Sequence, residues 1–333
     1  MNIIEQIKNK AKTLNKTIIL PEANDIRTLK AASLTTKEGF ASVILIGNKD
    51  DINKLANENE ININGIEIIE PNTFNDIDKV INEFYELRKN KGITLEEAKN
   101  LILNNNLYFG NMLVKMGYAD GLVAGAVNSS ADVLRASLQT LKTSKNSKIV
   151  SSFFLIDVPN CEYGEDGVFI FSDCGMIPNP TSEELVEIAK SSAQSFEQLV
   201  GKTPKIAMLS YSTMGSAKHP NIDKVTRAVQ LAKETYPELL LDGELQFDAA
   251  VVPHVAKSKA PNSEVAGNAN VLIFPDLNSG NIAYKIAERL AKAKAYGPIT
   301  QGIAKPVNDL SRGCNEYDIV GAIAITCVQC EEK

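Results

Sequence analysis

The chain has 333 residues, 44% of them hydrophobic and 23% charged, with a formal net charge of −6. That length predicts two domains rather than one core. The acidic balance excludes a general attraction to a nucleic-acid backbone or an anionic membrane, and with no Trp and 6% aromatic residues there is no stacking platform for single-stranded nucleic acid.

Taken in chain order, Thr17-Ile18-Ile19-Leu20 reads as a strand and residues 26–37 as a helix. Ala41-Ser42-Val43-Ile44-Leu45-Ile46-Gly47 is the next strand, residues 51–57 a helix and Ile66-Glu67-Ile68-Ile69 a third strand. Helical periodicity then covers residues 76–89, 94–104 and 107–116. Gly121-Leu122-Val123-Ala124-Gly125 is a strand opening into a helix over 131–142. This βαβ rhythm predicts a mostly parallel, doubly wound sheet. Residues 149–158 and 167–172 follow each other without a helix between them and predict an antiparallel pair. Alternation resumes with a helix over 183–200, a strand over 205–209, a helix over 222–235, a strand over 271–274 and a helix over 282–294. The reading is a first α/β domain from residues 1–147 and 297–333, discontinuous, with a second α/β domain over 148–296. No Ser- or Gly-rich linker marks either crossover, which predicts close packing of the domains.

The five cysteines are odd in number and irregularly spaced, and the first residues do not read as a signal peptide. These features predict reduced thiols in the cytoplasm. No uncharged apolar run approaches the length of a membrane span. Gly201-Lys202-Thr203 lacks the upstream glycine of a P-loop and precedes a strand, so it is not one. Cys327-x-x-Cys330 has no second pair at zinc spacing, and buried thiols account for it better.

The segment Ser311-Arg312-Gly313-Cys314-Asn315-Glu316-Tyr317-Asp318 concentrates a hydroxyl, a permanent cation and a carboxylate before the apolar run 319–327. Arg312 can hold a phosphate or a developing oxyanion, Ser311 can donate to it, and Asp318 can take a proton. A plainer reading also fits. Ser311 caps a helix, Asn315-x-x-Asp318 forms a capping box, and Arg312 pairs with Asp318. Asn128-Ser129-Ser130 follows a strand and starts a helix, a place where free N–H groups and the helix dipole favour an anion, with Arg135 two turns on. Routine serine capping explains it equally well. Arg88 ends a helix in a basic stretch, where a cation suits the dipole. Ser210-Tyr211-Ser212-Thr213-Met214-Gly215-Ser216 is a weaker candidate anion turn. A Cys314 nucleophile is the rival chemistry, although sequence places neither His219 nor His254 beside it.

Several blocks resemble the phosphate acetyltransferases of the short, two-domain form in the phosphate acetyl/butyryltransferase family. They are Ile19-Leu20-Pro21-Glu22, Tyr118-Ala119-Asp120-Gly121-Leu122-Val123-Ala124-Gly125 and Phe171-Ser172-Asp173-Cys174-Gly175. Residues 241–250 and 274–281 also match, and Asp309-Leu310-Ser311-Arg312-Gly313-Cys314 is the most specific. The resemblance runs the length of the chain. It implies two doubly wound α/β domains with a cleft between them, isocitrate/isopropylmalate dehydrogenase-like, and a homodimer. It implies reversible acetyl transfer between acetyl phosphate and coenzyme A, with CoA, acetyl phosphate and phosphate as substrates and no cofactor or metal. Asp318 is implied as the base for the CoA thiol, Arg312 and Ser311 as stabilisers of the phosphoryl group and oxyanion, and Arg88, Arg135, Ser129 and Ser130 as CoA or phosphate contacts. Phosphate butyryltransferase, a metal- and NAD-dependent hydroxyacid dehydrogenase of the same fold, and a CoA-binding regulator without turnover are the alternatives.

Overall fold

The computed structural model describes residues 2–145 and 147–331. Its elements, in chain order, are α1 (Ile3–Leu14), β1 (Thr17–Leu20), α2 (Ile26–Glu38), β2 (Ser42–Ile46), α3 (Lys49–Glu58), β3 (Glu67–Ile69), α4 (Ile77–Arg88), α5 (Leu95–Asn104), α6 (Asn106–Lys115), β4 (Gly121–Ala124) and α7 (Ser130–Thr140). There follow β5 (Ser151–Asp157), β6 (Val168–Ser172), α8 (Ser182–Val200), β7 (Ile206–Leu209), α9 (Pro220–Thr235), β8 (Leu241–Leu245), α10 (Phe247–Val251), α11 (Pro253–Lys259), β9 (Val271–Ile273), α12 (Leu277–Leu290), β10 (Lys294–Gln301), β11 (Val307–Asp309) and α13 (Glu316–Gln329).

The chain divides into two compact units. Ile3–Lys145 and the chain from Ile303 onward make the first, and the segment ending at Gly302 makes the second. In the first, β1, β2, β3, β4 and β11 form one parallel sheet in the order β11-β4-β1-β2-β3. Its central strands are apolar on both faces because helices cover both. Ile19, Ile44, Ile46, Leu122 and Val307 pack under α4–α7, while α1, α2 and α13 cover the other side. Gly110 lets α6 lie close to the sheet. A Cβ there would come within 3.1 Å of the Leu122, Ile46 and Ile19 side chains. Residues 319–328 of α13 are buried on every face, as expected of a helix that is apolar all round.

The second unit has the order β10-β5-β6-β9-β7-β8. β10, β5 and β6 are antiparallel neighbours, and β6, β9, β7 and β8 are parallel. Helices α8 and α9 pack on one side, and α10–α12 close a core around Phe154, Phe171, Leu209 and Leu272.

The second crossover lies six residues later than residue 297, where the sequence reading put it. Pro298 looked like a break, yet it sits inside β10, an edge strand, where a missing N–H is tolerated and where the pairing with β5 shifts register between Tyr296 and Ile299. Helix α12 begins at Leu277, earlier than 282, because Asp276 caps it by accepting from the Ser279 N–H at 2.9 Å. Strands β8, β10 and β11 and helix α1 were not anticipated. Asp242-Gly243-Glu244 and Gly297-Pro298 break the apolar pattern that would have announced β8 and β10.

Candidate active site at the carboxyl ends of β1, β4 and β11

In the first sheet, β2 and β3 lie on one side of β1, and β4 and β11 on the other. The sheet order therefore reverses between β1 and β4, and open α/β sheets bind ligands outside the strand carboxyl ends at such a point. Three chain segments leave the sheet there. They start at Pro21 after β1, at Gly125 after β4 and at Leu310 after β11.

Glu22, 3% exposed, organises the β4 turn. Its carboxylate accepts from the N–H groups of Gly125 (2.9 Å), Ala126 (2.8 Å), Val127 (3.1 Å) and Asn128 (2.7 Å), and from Asn128 Nδ2 (2.8 Å). Of the anion site that the sequence offers at Asn128-Ser129-Ser130, this internal carboxylate takes only the Asn128 donors. What faces outward is the start of α7. There Ser129 is the N-cap, accepting from the Asp132 N–H at 3.2 Å and donating its hydroxyl to Asp132 at 2.7 Å. Asp132 also receives Arg135 at 2.6 Å, so the plain capping reading of Ser129 is realised and Arg135 is tied to its own helix. Ser130, the first helical residue, is exposed.

Beside this turn β11 ends at Asp309, paired with Ala124 of β4. Gly125, at φ +113°, makes this approach possible, since a Cβ there would lie 2.3 Å from Asp309 Oδ1 and 2.5 Å from the Leu310 nitrogen. Asp309 is 2% exposed and neither carboxyl oxygen has a hydrogen-bond partner. Burial pushes its pKa up to about 6. The Glu22 charge acts in the same direction, while the nearby Ser130 hydroxyl and Leu310 N–H oppose it without closing a bond.

Arg27, on the first turn of α2, ties the segments together. Its guanidinium grips Asp25 through Nε (3.0 Å) and Nη2 (2.8 Å). It also donates to the carbonyls of Ala126 (2.8 Å), Arg312 (2.7 Å) and Cys314 (3.0 Å). This bidentate pairing holds the Asp25 carboxyl below the usual range and raises Arg27 further. One side chain thus fixes the loop after β11 against the turn after β4. Neither Glu22, Arg27 nor Asp309 was assigned a role from sequence. The signals available for Glu22 were its place two positions past a buried strand and its place in the block Ile19-Leu20-Pro21-Glu22.

Ser311 and Arg312 are exposed on that loop, the Ser311 hydroxyl accepting from the Gly313 N–H at 3.3 Å. Asn315 and Asp318 form the capping box of α13, with the Asn315 N–H donating to Asp318 Oδ2 at 2.9 Å and the Asp318 N–H to Asn315 Oδ1 at 3.1 Å. Asp318 is therefore a structural cap, with its second oxygen not engaged in the box. No ion pair joins Arg312 to Asp318 among the described residues. Arg88, the last residue of α4, and Arg135 both lie near enough to the buried Tyr108 phenol to counter the upward push of burial on it. Tyr108 donates to Gln139 at 2.9 Å. The structure thus gathers Ser129, Ser130, Ser311 and Arg312 at adjoining strand ends, and Arg88 with Arg135 around Tyr108.

Cys314 is buried, and burial pushes its thiol up to about 11 although Arg27 works against this. A thiol so far from ionisation is a poor nucleophile. Burial likewise pushes Cys330 up to about 12 and raises Cys327. In the second unit the candidate turn after β7 is also filled from within. Glu244 accepts from the Ser212 hydroxyl at 2.7 Å and the Gly215 N–H at 2.8 Å.

Residues 2–327 match the family described as Phosphate acetyl/butaryl transferase. The chain is 57% identical to the phosphate acetyltransferase of Acetivibrio thermocellus over 331 residues, 99% of each chain. Among solved structures, a phosphotransacetylase from Streptococcus pyogenes superposes with a TM-score of 0.91 at 44% identity, covering 98% of each chain. The EutD phosphotransacetylase from Staphylococcus aureus gives 0.90 at 42% identity, covering 99% of this chain and 98% of that one.

Proposed function

The chain belongs to the phosphate acetyl/butaryl transferase family, and we propose that it catalyses reversible acetyl transfer between acetyl phosphate and coenzyme A. The observation that carries this reading is the convergence of a hydroxyl-bearing helix start and an Arg-bearing loop at the sheet's switch point, locked together by Arg27. Exposed donors and a permanent cation held on a rigid base suit a phosphoryl group.

In the forward direction the CoA sulfur attacks the acetyl carbonyl, its proton passing to Asp318. The C–S bond forms, the carbonyl electrons move onto oxygen, and the tetrahedral intermediate collapses with loss of phosphate. Arg312, assisted by Ser311, stabilises the oxyanion and the departing phosphate. Ser129 and Ser130 contact the phosphoryl group, and Arg88 and Arg135 the anionic parts of CoA. An alkyl thiol has a pKa of about 8.5 and an ordinary aspartate about 3.9. The carboxylate alone is thus a weak match, and the larger effect belongs to the cation. Phosphate is already a good leaving group from an acyl phosphate, so no metal or organic cofactor is required. Activity that survives exhaustive chelation tests this.

The protein acts as a homodimer in the cytoplasm. Ile282, Ile286 and Leu290 form a stripe on α12 and are 58%, 52% and 80% exposed, an apolar face suited to a second copy. All five cysteines are free thiols, which suits a reducing compartment. The test of the activity is thioester formation from CoA with acetyl phosphate, run beside butyryl phosphate. Fast acetyl transfer, reversed by phosphate with acetyl-CoA, is expected. Faster butyryl transfer would make the chain a butyryltransferase, and no turnover with either would refute the acyltransferase reading.

A further inference from the structure

Among the described residues, the buried carboxyls at strand ends are saturated by donors, with one exception. Glu22 accepts five N–H bonds. Asp173 accepts from the Ser152 hydroxyl and from the N–H groups of Ser152, Gly175, Met176 and Ile177. Asp309 accepts none, at 2% exposure. The backbone makes room for it, since only a glycine at 125 leaves space for its Oδ1. A buried polar side chain without a partner calls for a functional explanation.

The groups bearing on Asp309 narrow that explanation. They are the Glu22 carboxylate after β1, the Leu310 N–H of its own loop, and the Ser130 hydroxyl at the start of α7. The Leu310 N–H belongs to the adjoining peptide and cannot reorient. Ser130 can, because a hydroxyl rotates and is both donor and acceptor. Ser130 is also exposed at the N-terminus of an 11-residue helix, where a bound anion is favoured.

We propose that Asp309 is a positioning residue for the phosphoryl subsite: its sealed carboxyl takes the Ser130 hydroxyl as partner and so aims that hydroxyl's proton at a phosphoryl oxygen. This rests on the acetyl-transfer reading and adds a residue to it. A protonated Asp309 donates its O–H to Ser130 Oγ, leaving the Ser130 proton free to point outward. An ionised Asp309 would take that proton for itself and set a negative charge behind the anion. Burial and the neighbouring Glu22 raise its pKa to about 6, which leaves the free carboxyl mostly ionised at pH 7; a phosphoryl anion bound at Ser130 is a further like charge, and the protonated form prevails once that anion is in place. Asp309 touches no substrate and acts through Ser130.

The experiment is steady-state kinetics in both directions with phosphate, acetyl phosphate, CoA and acetyl-CoA varied in turn. Asp309→Ala should raise KM for phosphate and acetyl phosphate about tenfold, the size expected for one hydrogen bond to a charged group. Its kcat and its KM for CoA should stay within about threefold, because only the subsite for the anion is disturbed. Ser130→Ala should shift KM the same way, and the double variant should be no worse than either, since the two side chains act as one unit. Asp309→Asn, neutral and able to donate to Ser130, should recover most of the phosphate affinity. The proposal is overturned if the two alanine effects multiply, if KM for CoA moves as much as KM for phosphate, or if Ser130→Ala leaves KM for phosphate unchanged. The last comparison decides even where Asp309→Ala folds poorly. A parent enzyme without turnover sinks the activity reading itself, and this inference with it. A parent that turns over but ignores these substitutions sinks only the role of Asp309.

Discussion

At the scale of single residues, Arg312 and Asp318 divide the work unequally. Asp318 is held as the N3 residue of a capping box, so Asp318→Asn removes a proton acceptor and weakens a cap worth about 1 kcal/mol. Arg312 is exposed and free of any ion pair among the described residues, available to charge that develops in the transition state. Arg312→Ala should therefore reduce kcat by about 10²–10³-fold, at least as much as Asp318→Asn. A melting curve beside the kinetics separates lost capping from lost chemistry, and a clearly slower Asp318→Asn enzyme would reverse the ranking.

Asp309 makes a second residue-scale prediction, about stability. Its folded pKa, about 6, lies above its ordinary value of 3.8. At low pH the carboxyl is neutral in both states and costs nothing. As pH rises through 4 the unfolded chain ionises first, so folding is penalised progressively until about pH 6 and constantly above that. The gap of about two pH units corresponds to about 3 kcal/mol as a ceiling. Asp309→Asn should thus stabilise the protein more at pH 7 than at pH 4, measured by denaturant unfolding at both. An equal effect at the two pH values would mean that the carboxyl is not raised.

At the scale of elements, a recurring device is a buried carboxylate in the last residues of a strand or just past it, accepting the N–H groups of a turn. Glu22 does this for the turn after β4, Asp173 for the turn after its own strand β6, and Glu244 for the turn after β7. The turn after β7 reads as an anion site in sequence, and its anion is internal. Glu22→Ala would leave four backbone N–H groups of the turn without their acceptor. It should cost about 3 kcal/mol or more and loosen the turn that supports Ser129 and Ser130. Hydrogen exchange at Gly125–Asn128 amides should accelerate before global unfolding does. Unchanged protection there would show that the turn stands without Glu22. Gly125→Ala should be at least as damaging, because its Cβ has no space beside Asp309 and Leu310 and φ +113° strains any L residue.

At the scale of the whole molecule, two units each build their own sheet and core, and no helix among the described residues is long and apolar enough to cross a membrane. The exposed Ile282, Ile286 and Leu290 stripe predicts that Leu290→Glu shifts the sedimenting species from dimer towards monomer. A dimer that persists unchanged would place the interface elsewhere.

Much of this was legible in the amino-acid order, for a physical reason. Parallel strands buried on both faces are continuous apolar runs, as in Ile18-Ile19-Leu20 and Leu122-Val123-Ala124, and helices announce themselves by period and caps. The alternating α/β architecture and the polar segment around Ser311 and Arg312 could be read from such local patterns. The capping box of Asn315 and Asp318 could too, since all its parts lie within four residues. Edge strand β10 was hidden because a proline is tolerated there, and β8 because its polar residues serve a turn. The partnerships across the first unit were not legible at all. Glu22 meets residues more than a hundred positions away, and Arg27 reaches carbonyls 285 and 287 positions on. Sequence alone determined which local elements form and which side chains can carry the chemistry. Only the tertiary structure decided which N–H groups are already taken, and that Asp309 is left without a partner, because those outcomes depend on strand order and on how closely Gly125 lets two strand ends approach.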